Sequence, residues 1–137
     1  MRVLDASVVT DAMAVGGAVG DRARRLVAEE SWLHLPAVAG AEITSALRAM
    51  TSRRLLSVGD ARAAAVHASR LRARHYPFEP FLDRVWELRD DVTVYDAWYV
   101  ALAEALDAPL VTTDDRLRRA AGPRCPVLSP VEALTGR

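Results

Sequence analysis

Short apolar runs alternate with segments of helical pattern along this chain. The runs, each too short for a helix of ordinary length, are residues 2–4, 32–35, 109–113 and 125–128. We predict that each is an interior strand, and that residues 76–80 are a linker with room for another short strand. Strands that alternate with helices form a parallel sheet with helices on both faces. The sequence therefore predicts an α/β protein, a three-layer α/β/α sandwich with a central, mostly parallel sheet.

Helix signals fill the segments between the strands. Ser7 is expected to cap a first helix that ends near residue 15, and Pro36 can open another. On that later helix, Ile43, Leu47 and Met50 recur at i, i+4 and i+7 and form an apolar stripe. The remaining helices are predicted at residues 21–30, 60–74, 81–89, 94–106 and 114–121.

The size and composition predict a single globular domain over residues 1–137, since 51% of the residues are hydrophobic and 26% are charged. No apolar run approaches the roughly 18 residues that cross a bilayer. The N-terminal segment lacks the apolar stretch of a signal peptide. Cys125 is the single cysteine, so an internal disulfide is excluded and a passive core thiol is expected. These features predict a cytoplasmic protein that does not contact a membrane.

The charge balance is unusual in its residue types. The 18 acidic residues are matched by 18 cationic residues, and every cationic residue is an arginine. A net charge of zero argues weakly against a nucleic-acid partner, but arginine binds phosphate in a bidentate manner. A biased codon usage explains the arginines equally well, so the charge pattern leaves both interpretations open.

Four acidic residues lie in segments whose other residues are typical of a protein interior. They are Asp5, Glu42, Asp96 and Asp114. Carboxylates are rarely buried without a partner or a metal, because losing their hydration is costly. Asp5 and Asp114 follow predicted strands, and ligands of parallel sheets bind at the carboxyl ends of strands. We expect the four to form one acidic cluster. Taken singly, each could instead cap a helix or lie solvated at a helix edge.

An acidic cluster of this kind requires a cation. Two carboxylates 4 Å apart repel by roughly 4 kcal/mol at an effective dielectric constant near 20. The chain offers no lysine to offset this repulsion. Oxygen ligands favour Mg²⁺, for which Mn²⁺ can substitute. Zinc is disfavoured, because no ligand spacing is present among His34, His67, His75 and Cys125.

Together these motifs resemble a PIN domain of the VapC type, the ribonuclease toxins of bacterial and archaeal toxin–antitoxin pairs. The matching segments are Val3-Leu4-Asp5-Ala6-Ser7, residues 36–47, residues 94–103 and Leu110-Val111-Thr112-Thr113-Asp114. Each segment alone is weak evidence. In this order, and over residues 2–132, they are specific.

The resemblance implies a PIN-like sandwich and assigns roles to particular residues. The four acidic residues of the family, which are catalytic and bind the metal, correspond to Asp5, Glu42, Asp96 and Asp114. Ser7 and Thr112 match the small hydroxyl residues that support such a site, and Asp115 is expected to assist from beside it. All four acids are present, so the resemblance predicts an active enzyme.

The resemblance also implies a substrate and partners. It predicts Mg²⁺-dependent hydrolysis of RNA phosphodiester bonds, a homodimer, and inhibition by a VapB-type antitoxin in a larger complex. Arg116, Arg118 and Arg119 are candidates for RNA binding, although a solvated helix face is the alternative. The same alternative applies to the arginines at positions 70, 72 and 74, which are expected at a helix end. Core or interface positions, rather than base-stacking positions, are expected for Trp32, Trp86 and Trp98.

Other functional classes fit less well. Phospho-acceptor domains and phosphatases with an aspartyl nucleophile also place acids at strand ends, but they need a lysine that this chain lacks. A PIN nuclease of RNA processing and a non-catalytic binding module with the PIN fold stay open as alternatives to the toxin.

Overall fold

The computed structural model describes residues 1–136. Its strands are β1 Val3–Leu4, β2 Leu33–Pro36, β3 Ala73–Tyr76, β4 Leu110–Val111 and β5 Val127–Leu128. All strand pairs are parallel, in the orders β1-β4-β5 and β2-β3, and β1 packs beside β2. The predicted α/β class with a parallel sheet is confirmed.

The helices surround these strands. They are α1 Ala6–Ala14, α2 Gly17–Glu29, α3 Ala39–Ser52, α4 Val58–Ser69, α5 Leu82–Glu87, α6 Val94–Ala105, α7 Asp115–Arg119 and α8 Pro130–Thr135. A short 3-10 helix, Glu79–Phe81, leads into α5. In the part of the chain that the structure describes, no helix is long and apolar enough to cross a bilayer.

Helix α6 is the central helix of the fold. Residues 97–103 of this helix are all buried, because they form an unbroken run of apolar and aromatic side chains. It packs against β1, β2 and β4, whereas α1 packs against α2, α3 and α4. Helix α6, whose first turn carries Asp96, therefore packs against the strands whose ends carry Asp5 and Asp114.

The predicted helix at residues 60–74 is wrong at its end. Helix α4 stops at Ser69, and residues 73–76 form β3, which pairs with β2 in the register Leu33↔Ala73. The alanines and arginines of this segment favour a helix, but pairing with β2 outweighs that local preference. The predicted linker at residues 76–80 consequently begins inside a strand.

Several predicted boundaries also differ from the structure. Asp5, not Ser7, occupies the N-cap position of α1. Pro36 ends β2 instead of opening α3, which begins three residues later. Helix α2 starts directly at Gly17, whose φ of +67° suits a residue without a Cβ. The terminal helix α8 was not predicted, although Ser129 forms a capping box with Glu132.

Candidate active site

Asp5 lies where β1 meets α1. Its backbone N–H donates to Val111 O at 2.9 Å, which continues the parallel pairing of β1 with β4. The residue is only 8% exposed. Its Oδ2 accepts hydrogen bonds from Ser7 Oγ at 2.7 Å and from Thr112 Oγ1 at 2.9 Å. Two hydroxyl groups therefore fix the orientation of this buried carboxylate.

The end of β4 supplies the second part of the site. Thr112 is fully buried, and its Oγ1 also accepts from Asp114 N at 3.1 Å. Ser7 Oγ accepts from Thr113 N at 3.3 Å. Asp114 itself caps α7, since its Oδ1 accepts from Arg116 N at 2.8 Å. The hydroxyl groups of Ser7 and Thr112 thus join the ends of β1 and β4, as the resemblance implied for supporting residues.

Glu42 reaches the site from α3 through a contact with Tyr99. The Tyr99 hydroxyl donates to Glu42 Oε1 at 2.9 Å. Tyr99 is fully buried, and burial together with the charges of Glu42 and Asp5 raises its phenol pKa, so it stays a proton donor. From the sequence, Tyr99 is recognisable only as part of the motif at residues 94–103. Its position three residues after Asp96, on the same face of a helix, was the available signal.

The pKa values show that the acids share one electrostatic environment. Burial raises the pKa of Glu42, and the charges of Asp5 and Asp96 raise it further, against the lowering effect of the Tyr99 hydrogen bond. Burial also raises the pKa of Asp96, as do the charges of Asp5 and Asp114. The charges of Asp5 and Asp96 therefore act on Glu42, and those of Asp5 and Asp114 act on Asp96, which joins the four predicted acids in one chain of repulsive contacts.

This repulsion is not offset by the protein. Of the ion pairs formed within residues 1–136, none involves Asp5, Glu42, Asp96 or Asp114. Over the same residues, no three side chains of His, Cys, Asp or Glu stand close enough together to form a ready metal site. The donors are all carboxylate oxygens, which suit a hard divalent cation. They form an open, uncompensated acidic site, not a closed ligand shell.

Asp96 and Asp114 line a groove of about 380 Å³. Arg89 and Arg116 line the same groove, together with residues 90–93 and Leu117. The groove thus combines two of the acids with two guanidinium groups, which is a charge pattern suited to a phosphodiester.

The remaining predicted site residues divide between ion pairs and the groove. Asp115 is paired with Arg118 at 2.7 Å, and Arg118 also reaches Glu132 at 2.7 Å. Arg118 is therefore engaged in ion pairs, and of the three candidate arginines only Arg116 lines the groove. A supporting role for Asp115 stays a prediction.

The expectation that Arg72 and Arg74 lie at a helix end is wrong. The expectation of core or interface positions for the tryptophans is confirmed for Trp98 and stays a prediction of an interface for Trp32 and Trp86. Arg72 and Arg74 do not end a helix, and both guanidinium groups stack over Trp32, at 5.1 Å and 5.4 Å from the ring centroid. Trp98 is buried as expected, but Trp32 is 40% exposed and Trp86 is 63% exposed. Neither the helix position of Trp86 nor the place of Trp32 before β2 revealed this exposure.

A separate cavity lies at the amino ends of β4 and β5. It has a volume of about 410 Å³ and is lined by Glu104, Asp107, Arg124 and Cys125, among others, but by none of the four acids. Burial raises the pKa of the Cys125 thiol to about 11, so the thiol is protonated at neutral pH. The expectation of an unreactive thiol agrees with this environment.

Comparison with known proteins gives consistent matches over most of the chain. Residues 2–123 match the PIN domain family. Ribonuclease VapC9 of Mycobacterium tuberculosis is 41% identical over 127 residues, which cover 93% of this chain and 96% of that protein. Ribonuclease VapC1 of the same organism is 42% identical over 126 residues, or 91% and 94% of the two chains. The structure of FitAcB from Neisseria gonorrhoeae has a TM-score of 0.70 at 18% identity, covering 96% of this chain and 99% of that one.

Proposed function

Since the chain belongs to the PIN domain family, we propose that it is a metal-dependent endoribonuclease of the VapC type that acts as the toxin of a toxin–antitoxin pair. The observation that carries this proposal is the set of four acids whose charges act on one another and which, within residues 1–136, form no ion pair with a protein cation. Its relatives, named as VapC ribonucleases, match nearly the whole chain and support the reaction class.

The residues that would hold Mg²⁺, or Mn²⁺ in its place, are Asp5, Glu42, Asp96 and Asp114. Such an ion supplies Lewis acidity, activates water and stabilises charge on the phosphodiester oxygens. Within the described residues, no hydrogen bond reaches Asp5 Oδ1 or Glu42 Oε2, so each carboxylate keeps one oxygen for a ligand.

The neighbouring side chains prepare this site. Ser7 and Thr112 hold Oδ2 of Asp5, and Tyr99 holds Oε1 of Glu42. These hydroxyl groups select one orientation of each carboxylate before any ligand binds, which reduces the reorganisation that binding requires. The pKa values of Asp96 and Glu42 are raised by burial and by the neighbouring acids, and a bound cation would offset that repulsion and favour the ionised carboxylates.

As partners of the toxin we propose RNA, a VapB-type antitoxin and a second copy of the chain, in a larger toxin–antitoxin complex. The support is the similarity to relatives that carry the VapC name. A PIN nuclease of RNA processing would share the chemistry but would not need an antitoxin.

The test is cleavage of labelled RNA by the purified protein with Mg²⁺, with Mn²⁺ and with EDTA. We expect cleavage with either metal, none with EDTA, and a loss of at least about a hundredfold in Asp96→Asn, since removal of a metal ligand abolishes most of the catalysis. Equal cleavage by Asp96→Asn would contradict the proposal. Induced expression should arrest growth unless Asp96 is substituted, and a cleaving enzyme that leaves growth unaffected would favour an RNA-processing nuclease.

A further inference from the structure

Two arginines of the acidic groove have no acidic partner. Arg89 and Arg116 are exposed, and both line the groove that contains Asp96 and Asp114. In residues 1–136 neither guanidinium has a carboxylate within 4.0 Å, although Asp90 and Asp91 line the same groove. Arg118, two residues further along α7 than Arg116, is instead engaged by Asp115 and Glu132. Arg89 and Arg116 are therefore available for an external anion.

An exposed tryptophan extends this groove. The guanidinium of Arg89 lies 4.9 Å from the ring centroid of Trp86, and Arg89 Nη1 donates to Trp86 O at 2.8 Å. Trp86 is 63% exposed, so most of its ring surface stays open. Arg89 thus connects the acidic groove on one side with an open aromatic ring on the other.

We propose that Arg89 and Arg116 hold phosphates of single-stranded RNA next to the acids, and that Trp86 stacks on a neighbouring base. The proposal rests on the ribonuclease function argued above and names the side chains that would position its substrate. This RNA rim consists of Trp86, Arg89 and Arg116. They are positioning residues, because the acids carry the chemistry.

The chemistry of the RNA rim favours a nucleic acid over a peptide. A nucleotide combines a phosphate, which matches a guanidinium, with a flat ring, which stacks on tryptophan. An acidic peptide would meet the unpaired carboxylates of Asp96 and Asp114, and a basic peptide would meet the two arginines. Stacking on Trp86 requires a base that is free of its own helix, so a single-stranded segment fits best.

The test measures affinity for RNA without cleavage. A short fluorescein-labelled single-stranded RNA of mixed sequence is titrated with Asp96→Asn protein, and anisotropy is followed at several salt concentrations. Arg89→Gln, Arg116→Gln and Trp86→Leu are then added singly in the same background. The matched controls are Arg119→Gln, an exposed arginine on α7 outside the groove, and Trp32→Leu, an exposed tryptophan that also stacks with arginine.

Each variant has a distinct expected signature. Arg89→Gln and Arg116→Gln should each reduce the magnitude of the slope of log affinity against log salt by about 0.7, the value for one phosphate contact on a single strand. Trp86→Leu should weaken binding about tenfold, within the range for one stacked base, while leaving the slope nearly unchanged. Trp86→Tyr should restore most of the affinity, since a tyrosine ring still stacks.

Different results would contradict the RNA rim and the proposed ribonuclease function. If Arg116→Gln and Arg89→Gln bind RNA with the same affinity and salt dependence as Arg119→Gln, the proposed RNA rim is wrong. Cleavage of RNA by the wild-type protein would still support a ribonuclease in that case. Such a result would assign the exposed rim to protein contact instead. A wild-type protein that neither binds nor cleaves RNA would overturn both proposals.

Discussion

Hydroxyl groups determine how the carboxylates of this site are oriented. Asp5 accepts from a serine and a threonine, and Glu42 accepts from the phenol of Tyr99. Each donor holds one oxygen of its carboxylate and leaves the other free. Because the donors are neutral, they orient the acids without cancelling the negative charge that a divalent cation would bind.

Tyr99→Phe tests the role of the phenol. The substitution removes the hydrogen bond that lowers the pKa of Glu42, so this carboxylate should retain its proton more strongly and compete less well for metal. We expect the Mn²⁺ concentration for half-maximal RNA cleavage to rise about tenfold, as is usual when the partner of a metal ligand is lost. Tyr95→Phe, an exposed tyrosine on the same helix, is the control and should leave the Mn²⁺ dependence unchanged. Identical Mn²⁺ curves for the two variants would rule out this role.

The raised pKa of Asp96 predicts an effect on stability with a definite sign. When the pKa of an acid is higher in the folded state than in the unfolded state, the free energy of unfolding falls as the pH rises through the folded-state pKa. It stays lower at every pH above that value. Asp96→Asn cannot ionise, so at pH 7.5 with EDTA it should be more stable than the wild type by about 1 kcal/mol, or roughly 4 °C in Tm. The advantage should shrink as the pH is lowered, because a growing share of the wild-type carboxyl is then protonated.

The same variant should respond less to metal. Excess Mn²⁺ at a hundred times its Kd stabilises a protein by about 2.7 kcal/mol, and this gain should fall in Asp96→Asn. Thermal melts with and without Mn²⁺ measure both effects. Asp83→Asn, an exposed acid on α5, is the control and should change neither. A full Mn²⁺ response in Asp96→Asn would exclude Asp96 as a ligand.

Parts of this site were predictable from the sequence because they depend on local order. Asp5 and Asp114 follow apolar strands, and parallel strands place their carboxyl ends at one edge. The contact between Tyr99 and Glu42 joins residues 57 positions apart and depends on how α3 and α6 cross. No spacing in the sequence encodes that crossing, so the phenol could not be assigned in advance. The ion pair between Arg118 and Glu132 could not be predicted from the sequence for the same reason.

At the scale of the elements, an ion pair between Arg84 and Glu104 joins α5 to α6. Arg84 donates to both carboxylate oxygens of Glu104, at 2.7 Å and 3.0 Å, and its Nη2 also donates to Gly122 O at 3.0 Å. Glu104 further accepts from Arg124 N at 2.7 Å. This network joins two helices to the loop before β5, and α5 carries Trp86 of the RNA rim.

Glu104→Gln should therefore destabilise the fold. Burial alone would raise the pKa of Glu104, but the hydrogen bonds from Arg84 and Arg124 N outweigh it and lower the pKa below its usual value of 4.5. The stabilising effect is thus complete at neutral pH and is lost as the pH falls through the lowered pKa. We expect the free energy of unfolding to fall by about 2 kcal/mol at pH 7, because a half-buried arginine loses its charged partner.

Urea unfolding at pH 7 and at pH 3.5 measures this difference. Glu87→Gln is the matched control, since Glu87 also pairs with Arg84 but its side chain is 58% exposed. Its effect should stay below about 0.5 kcal/mol. Equal destabilisation by both variants, or a Glu104→Gln effect that does not change with pH, would contradict the account.

The boundaries of elements were harder to predict than their order. The alternation of strands and helices is confirmed, because apolar periodicity records which face of an element is buried. The segment at residues 60–74 looked helical throughout, yet residues 73–76 pair with β2. Its side chains favour a helix locally, and only the neighbouring strand makes the extended form more stable. Pro36 was similarly ambiguous, since proline is allowed both at a strand end and at a helix start.

At the scale of the whole molecule, the site exists only when the complete fold is formed. Its acids come from β1, α3, α6 and the end of β4, and Asp5 and Thr112 are 107 positions apart in the chain. The net charge of zero does not reveal how the charges are distributed over the surface. Asp96 and Asp114 line one groove, and Arg89 and Arg116 line the same groove beside them. The charge distribution, and not the total charge, is what would allow a chain of zero net charge to bind RNA as proposed.

The central claim is that these four acids hold a divalent cation. Crystals of the protein grown with Mn²⁺ test it most directly, through the anomalous scattering of the metal. The account predicts an anomalous peak among Asp5, Glu42, Asp96 and Asp114, with carboxylate oxygens at about 2.0–2.3 Å, and its loss in Asp96→Asn. Mn²⁺ bound only elsewhere, or an unchanged peak in Asp96→Asn, would contradict it.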